Sequence, residues 1–171
     1  MSNKNIIYNI LSFFLYVLIQ VLLLKNLVLF DVAFCFVYIA FILMLPLQIS
    51  STGLILAGFI TGITIDIFYD SLGINAAATT LIAFLRPAWL NLITPRAGYE
   101  EVNLPTLKTL GPSWFMIYTL PLIFIHQIIL FYIEAGGFSM FFFTLSKVIS
   151  STIFTFLVIV LSQYMFYKAR E

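Results

Sequence analysis

The sequence predicts an all-α integral membrane protein, a single bundle of about six transmembrane helices, on three observations. Of 171 residues, 63% are hydrophobic and only 9% charged, with 19 phenylalanines and a mean hydropathy of +1.12. A soluble domain of this length needs about a quarter of its residues charged to cover its surface. Six apolar runs near spanning length follow one another, and polar or turn-forming residues separate them. At about 20 residues per span, six spans use about 120 residues and leave no room for a folded soluble domain. The whole chain, 1–171, therefore reads as one polytopic membrane domain.

The first run, 5–24, is longer than the core of a secretory signal and has no small-x-small cleavage site before Lys25, so it is expected to remain as an uncleaved helix. The others are 32–48, 52–69, 74–93, 113–134 and 139–167. The breaks are Lys25–Asn26, Ser50–Gly53, Asp70–Gly73 and Ala135–Gly137, together with a longer connection, 94–112, that carries Pro95, Arg96, Glu100, Glu101, Pro105, Lys108 and Pro112. The second run is the shortest and contains Pro46, and it is the one expected to be short, tilted or broken.

Charge placement sets the orientation. The amino terminus, the 94–112 loop and the carboxyl terminus share one side in a six-span chain and hold Lys4, Arg96, Lys108, Lys168 and Arg170. The other side holds Lys25 with Asp31, Asp70 and Glu134, so both termini are expected to be cytoplasmic. Tyr8, Trp89, Trp114, Tyr164 and Tyr167 fall near the cytoplasmic interface, and Tyr69 and Tyr132 near the outer one. A formal charge of +1 and a pI near 7.8 give no basic face for nucleic acid. Cys35 stands alone and reads as packed or lipid-facing.

Four ionisable residues lie inside the proposed spans: Asp66, Arg86, His126 and Lys147. Each is costly against lipid and should find a partner, the bundle interior or the interface. Their depths put Asp66 near the outer edge and Lys147 about 12 Å in, by the helical rise. The two are expected to pair or to share a wet outer pocket. Arg86 precedes Pro87, whose missing donor favours a kink. Its guanidinium is expected to satisfy carbonyls loosened there or to fix the neighbouring loop, with a lipid headgroup or a partner protein as the alternative. His126 finds no carboxylate at matching depth and reads as a neutral residue bonded to another helix rather than a proton relay.

The third run has the strongest local pattern. Gly58, Gly62, Asp66 and Asp70 recur every four residues and stack on one face, beside Gly53, Ala57 and Thr61. The fourth run opens equally small, with Gly73, Ala76, Ala77, Ala78, Thr79 and Thr80. Gly58, Gly62, Gly73 and Ala77 are expected to pack these two helices closely. No catalytic, cofactor or metal constellation is legible: HExxH, GxSxG and phosphate-cradling glycine loops are all missing, and one His with one Cys does not make an ordinary metal site.

The run Gly58-Phe59-Ile60-Thr61-Gly62-Ile63-Thr64-Ile65-Asp66-Ile67-Phe68-Tyr69-Asp70-Ser71-Leu72-Gly73-Ile74-Asn75-Ala76-Ala77-Ala78 resembles the signature of the bacterial rod shape-determining MreD family. Phe84-Leu85-Arg86-Pro87 and Pro95-Arg96-Ala97-Gly98-Tyr99-Glu100 resemble its form in Bacteroidetes-like bacteria. The likeness covers roughly 53–101; elsewhere only hydropathy agrees. It implies a non-enzymatic component of the bacterial inner membrane that works in the cell-elongation, peptidoglycan-synthesising complex. The implied partners are an MreC-like scaffold protein, an MreB-like filament and the peptidoglycan synthases. It also implies a fold similar to the substrate-binding subunits of energy-coupling-factor transporters, which leaves room for an outer pocket; Asp66, Asp70 and Lys147 are the polar residues the sequence itself offers to line one. It assigns no role to Arg86, His126 or Lys147. Two functions follow as expectations. One is a scaffold contacting partners through the 94–112 loop and the outer ends near 66–73. The other is a substrate-binding transporter subunit using Asp66, Asp70, Asn75 and Lys147.

Overall fold

A computed structural model describes residues 6–96, 98, 99, 102–138 and 140–164, and the helical backbone of 3–5 and 165–168. The side chains of Lys4, Tyr167 and Lys168, together with Glu100, Glu101, Ser139 and Arg170, which the charge count and the span ends use, lie outside the described residues. The chain is mostly helical. In order it forms α1 (Asn3–Ile19) continued by a π-helical turn (Gln20–Leu24), a two-residue hairpin of β1 (Val28–Leu29) and β2 (Ala33–Phe34), α2 (Ile39–Met44), α3 (Ser51–Tyr69), α4 (Ile74–Leu92), α5 (Leu107–Leu110), α6 (Pro112–Glu134) and α7 (Phe141–Lys168).

Among the described residues, four stretches are long and apolar enough to cross a membrane: Ile6–Leu24, Ser51–Tyr69, Pro112–Glu134 and Phe141–Tyr164. That is fewer than the six helical spans expected. The fourth expected span does form a helix, α4, about 28 Å long at the helical rise. Asn75, Thr79, Thr80, Arg86 and Asn91 make it less apolar, and it packs against both α3 and α6.

The second expected span is the clear departure. Residues 32–48 are not a spanning helix: they hold β2, a short irregular stretch that turns at Val37 and Tyr38, and the six-residue α2. They nevertheless cross the bundle. Gln20 Nε2 donates to Tyr69 Oη at 2.6 Å and Lys25 Nζ to the Phe68 carbonyl at 2.6 Å, so the carboxyl ends of α1 and α3 lie together. With those two helices parallel, the chain between them has to return along the bundle. It returns through the interior, with Cys35, Val37, Tyr38, Ile39, Ala40, Ile42 and Leu43 all buried. Local chemistry explains the loss of helix. Phe30 and Asp31 turn in the left-handed region, and five of the seven residues that follow up to Tyr38 are aromatic or β-branched. Leu45 is extended (ψ 150) because it precedes Pro46.

Each helix end has a local reason. Ser50 caps α3 by accepting from the Gly53 N–H at 3.2 Å, and Pro112 opens α6 where its missing donor costs nothing. We call the end that carries the α3–α4 connection the turn end, and the end that carries 93–111 the loop end.

Candidate functional site: a buried polar network

Asp66 stands one turn before the end of α3 and is 4% exposed. Its Oδ1 accepts from Ser71 Oγ at 2.6 Å and from the backbone N–H and side-chain Nδ2 of Asn75, both at 3.0 Å. Its Oδ2 accepts from the Ala76 N–H at 2.8 Å. The carboxylate therefore satisfies the first free N–H groups of α4 and sits at the positive end of its dipole. Gly73, the N-cap of α4, offers no side chain for this task, and its φ of +88° is why a glycine stands there.

Close approach of α3 and α4 makes that reach possible. A Cβ on Gly62 would fall 2.4 Å from Ala76 Cα and 2.6 Å from the Asn75 carbonyl oxygen, and one on Gly58 would fall 2.8 Å from Ala83 Cβ. Gly58 and Gly62 are packing glycines, as expected from their spacing. Two other expected packing residues are not. Gly73 acts through its backbone in the turn, with open space where a side chain would be, and Ala77 is exposed, its place in the seam taken by Ala76, Thr79 and Ala83.

The network continues inward. Tyr38 Oη donates to Asn75 Oδ1 at 2.8 Å and lies 2.9 Å from His126 Nε2 on α6. Gln20, buried in the π turn, donates to the Cys35 carbonyl at 2.9 Å and accepts from the Tyr38 N–H at 3.4 Å. From α7, Ser151 Oγ accepts from the Phe34 N–H at 2.9 Å and Thr155 Oγ1 from the Phe36 N–H at 3.1 Å. Nearer the loop end, Arg86 donates from Nε to Tyr118 Oη at 2.6 Å and from its terminal nitrogen to the Leu43 and Leu45 carbonyls, while Tyr118 donates to the Leu43 carbonyl at 2.8 Å. The non-helical crossing thus receives its hydrogen bonds from α1, α4, α6 and α7. Backbone outside a helix is tolerated at membrane depth only when protein satisfies it.

The structure separates the expected polar residues. Asp66 and Asn75 are bonded to each other, but Asp66 does not pair with Lys147: its oxygens are filled by Ser71, Asn75 and Ala76. The Lys147 ammonium lies instead over three rings, 5.4 Å from Phe34, 5.9 Å from Phe131 and 5.1 Å from Phe143. Asp70 is exposed at the turn, with φ 53°, and does not share the face of Asp66. Arg86 has a structural role, but the carbonyls it serves belong to the second crossing and not to its own helix before Pro87. Cys35 is packed. A cavity of about 180 Å³ opens at the loop end against Leu47, Gln48, Pro87, Leu90, Asn91 and Tyr99, away from the outer pocket expected at Asp66.

Sequence reasoning passed over Gln20, Tyr38, Tyr118, Ser151 and Thr155. A signal existed for some: Gln20 is a lone amide in an apolar run, and Thr144, Ser151 and Thr155 follow the helical period on the buried face of α7. Tyr38 gave none, because only the fold brings it to Asn75 and His126. No family model matches the chain, and neither a curated protein nor a solved structure is significantly similar to it.

Proposed function

We propose that this chain is a non-enzymatic scaffold of the bacterial inner membrane, with both termini cytoplasmic, working in the cell-elongation complex beside an MreC-like partner. One observation carries the reading. The run 58–78, on which the MreD resemblance rests, folds as one helical hairpin in which Gly58, Gly62 and Asp66 hold α3 to α4. A motif used in this way serves architecture, and it presents its turn, with Leu72 fully exposed, as a fixed surface for another protein. The transporter alternative draws less support. It needs Asp66, Asp70, Asn75 and Lys147 to converge on a ligand, and they divide between a helix cap, an exposed turn and an aromatic cluster.

Depletion in the host, with cell shape and membrane partners scored from the same culture, tests the proposal. Rounded cells and recovery of the MreC-like protein in mild detergent are expected, and Leu72→Asp should reduce that recovery at least several-fold at unchanged protein level. Normal rods, or recovery of a small molecule with an ATPase-coupled partner, would overturn it.

A further inference from the structure

The Lys147 ammonium is held in place but not neutralised. Three rings surround it, and among the described residues it makes no hydrogen bond and no ion pair, so its N–H donors stay open. A half-buried ammonium at the edge of a bilayer calls for an acceptor. Its depth suits one carried by a lipid headgroup. Long side chains in a helix lean toward the amino terminus, and Nζ lies over Phe143, just past the start of α7 at Phe141. The charge therefore stands within about one helical turn of the turn end of the bundle.

Two carboxylates flank this cation without pairing with it. Glu134 ends α6 three residues beyond Phe131, on the same helix face and one turn nearer the surface, and it is exposed. Asp31 is exposed in the β1–β2 turn, three residues before Phe34. The Phe34 and Phe36 N–H groups reach Ser151 and Thr155 in step, so the crossing runs along α7 and its turn lies beside the start of that helix. A recessed positive charge thus sits between exposed negative ones. Toward the loop end the exposed side of α7 is apolar, with Ile153, Leu157 and Leu161.

We propose that this rim, formed by α6, α7 and the β1–β2 turn, is a binding site for a zwitterionic phospholipid whose headgroup carries a primary ammonium. A phosphate oxygen accepts from Lys147 Nζ, the lipid ammonium donates to Glu134 and Asp31, and the acyl chains run along the apolar side of α7. The charge pattern selects among headgroups. A phospholipid with a net negative charge satisfies Lys147 but brings nothing to the two carboxylates and is repelled by them. A trimethylated ammonium has no N–H for a carboxylate to accept. The rings that would hold it by its positive charge are already occupied by Lys147.

Native mass spectrometry of the full chain tests this, in mild detergent with phosphatidylethanolamine, phosphatidylglycerol and phosphatidylcholine at equal concentration and matched acyl chains. The wild type should retain phosphatidylethanolamine several-fold over the other two. Lys147→Gln should lose that retention. Asp31→Asn combined with Glu134→Gln changes only exposed side chains and keeps Lys147, so it should invert the order and favour phosphatidylglycerol. Equal retention of the three lipids by the wild type, an unchanged order in the double variant, or retention that survives Lys147→Gln would each overturn the proposal. Displacement of the lipid by free phosphoethanolamine at equal concentration would assign the site to a soluble ligand and overturn it too. So would a second copy of the chain retained in place of lipid and lost in Lys147→Gln. If Lys147→Gln fails to fold, the wild-type order and its inversion in the double variant decide alone.

Discussion

The α3–α4 hairpin and the crossing from Val28 to Ser50 meet the same constraint in opposite ways. Both must hide backbone polar groups from the bilayer. The hairpin does so with its own residues: its bonds lie inside two helices, and the N–H groups left over at the start of α4 are closed by Asp66 from the helix before it. The crossing borrows. Its N–H and carbonyl groups reach Gln20, Arg86, Tyr118, Ser151 and Thr155, side chains that are distant in sequence. A region closed by neighbours in the chain can form early and alone, because little loop entropy stands against it. A region closed by four other helices becomes stable only when the bundle is assembled.

Mutations should divide along that line. The largest expected effect is in the hairpin, at Gly62→Leu. The backbone of α4 occupies the place of the new side chain, so the helices must separate and take the Asp66 cap with them. A loss of about 3 kcal/mol or more is expected, seen as failure to recover monodisperse protein in detergent. Gly73→Ala, in the same hairpin but facing open space, should cost only the left-handed backbone, about 1 kcal/mol, and should fold.

In the crossing the decisive residue is Arg86. Arg86→Met keeps the length but strands the Leu45 carbonyl and leaves Tyr118 without its charged donor. A cost of about 2–3 kcal/mol is expected from the Leu45 carbonyl left unpaired in the interior and the lost charged donor to Tyr118, and it should appear as a lower thermal midpoint by circular dichroism. Proteolysis should begin within 28–50 while α3 and α4 stay intact. Cleavage that starts instead in the α3–α4 hairpin would erase the distinction between the two regions.

Sequence made the hairpin legible and the crossing illegible for the same physical reason. Four-residue spacing is a local property, so Gly58, Gly62 and Asp66 could be read as one face, and the close approach to the next helix followed. Even so, the contact residue was misplaced by one, from Ala76 to Ala77. A run of identical alanines carries no phase of its own. Hydropathy, in contrast, cannot tell apolar residues that face lipid from apolar residues buried in protein. Residues 32–48 scored as a span although their helix lasts six residues. Polar side chains such as Ser151 announce that something needs a partner, not that the partner is the backbone of Phe34, 117 positions away. The expected Asp66–Lys147 pair failed for a related reason: depth along a helix fixes no rotation about the bundle, and backbone donors nine and ten residues ahead, at the start of α4, are the closer partners.

The smallest effects sharpen the comparison at single bonds. Thr155→Val removes the acceptor of the Phe36 N–H and keeps the shape, so one buried donor in the crossing is orphaned, and the longer bond from Gln127 Nε2 on α6 is lost with it. Thr80→Val removes a hydroxyl that only supplements the Ala76 carbonyl, which α4 already uses within its own helix. The first should cost about 1 kcal/mol or more, and the second should stay within about 0.5 kcal/mol, the range of a polar contact that nothing depends on. Thermal midpoints in one detergent compare the two directly. Equal shifts would mean that the crossing has another donor or acceptor to fall back on, water being the obvious one. A larger shift for Thr155 would show that backbone without a helix depends on each borrowed side chain singly.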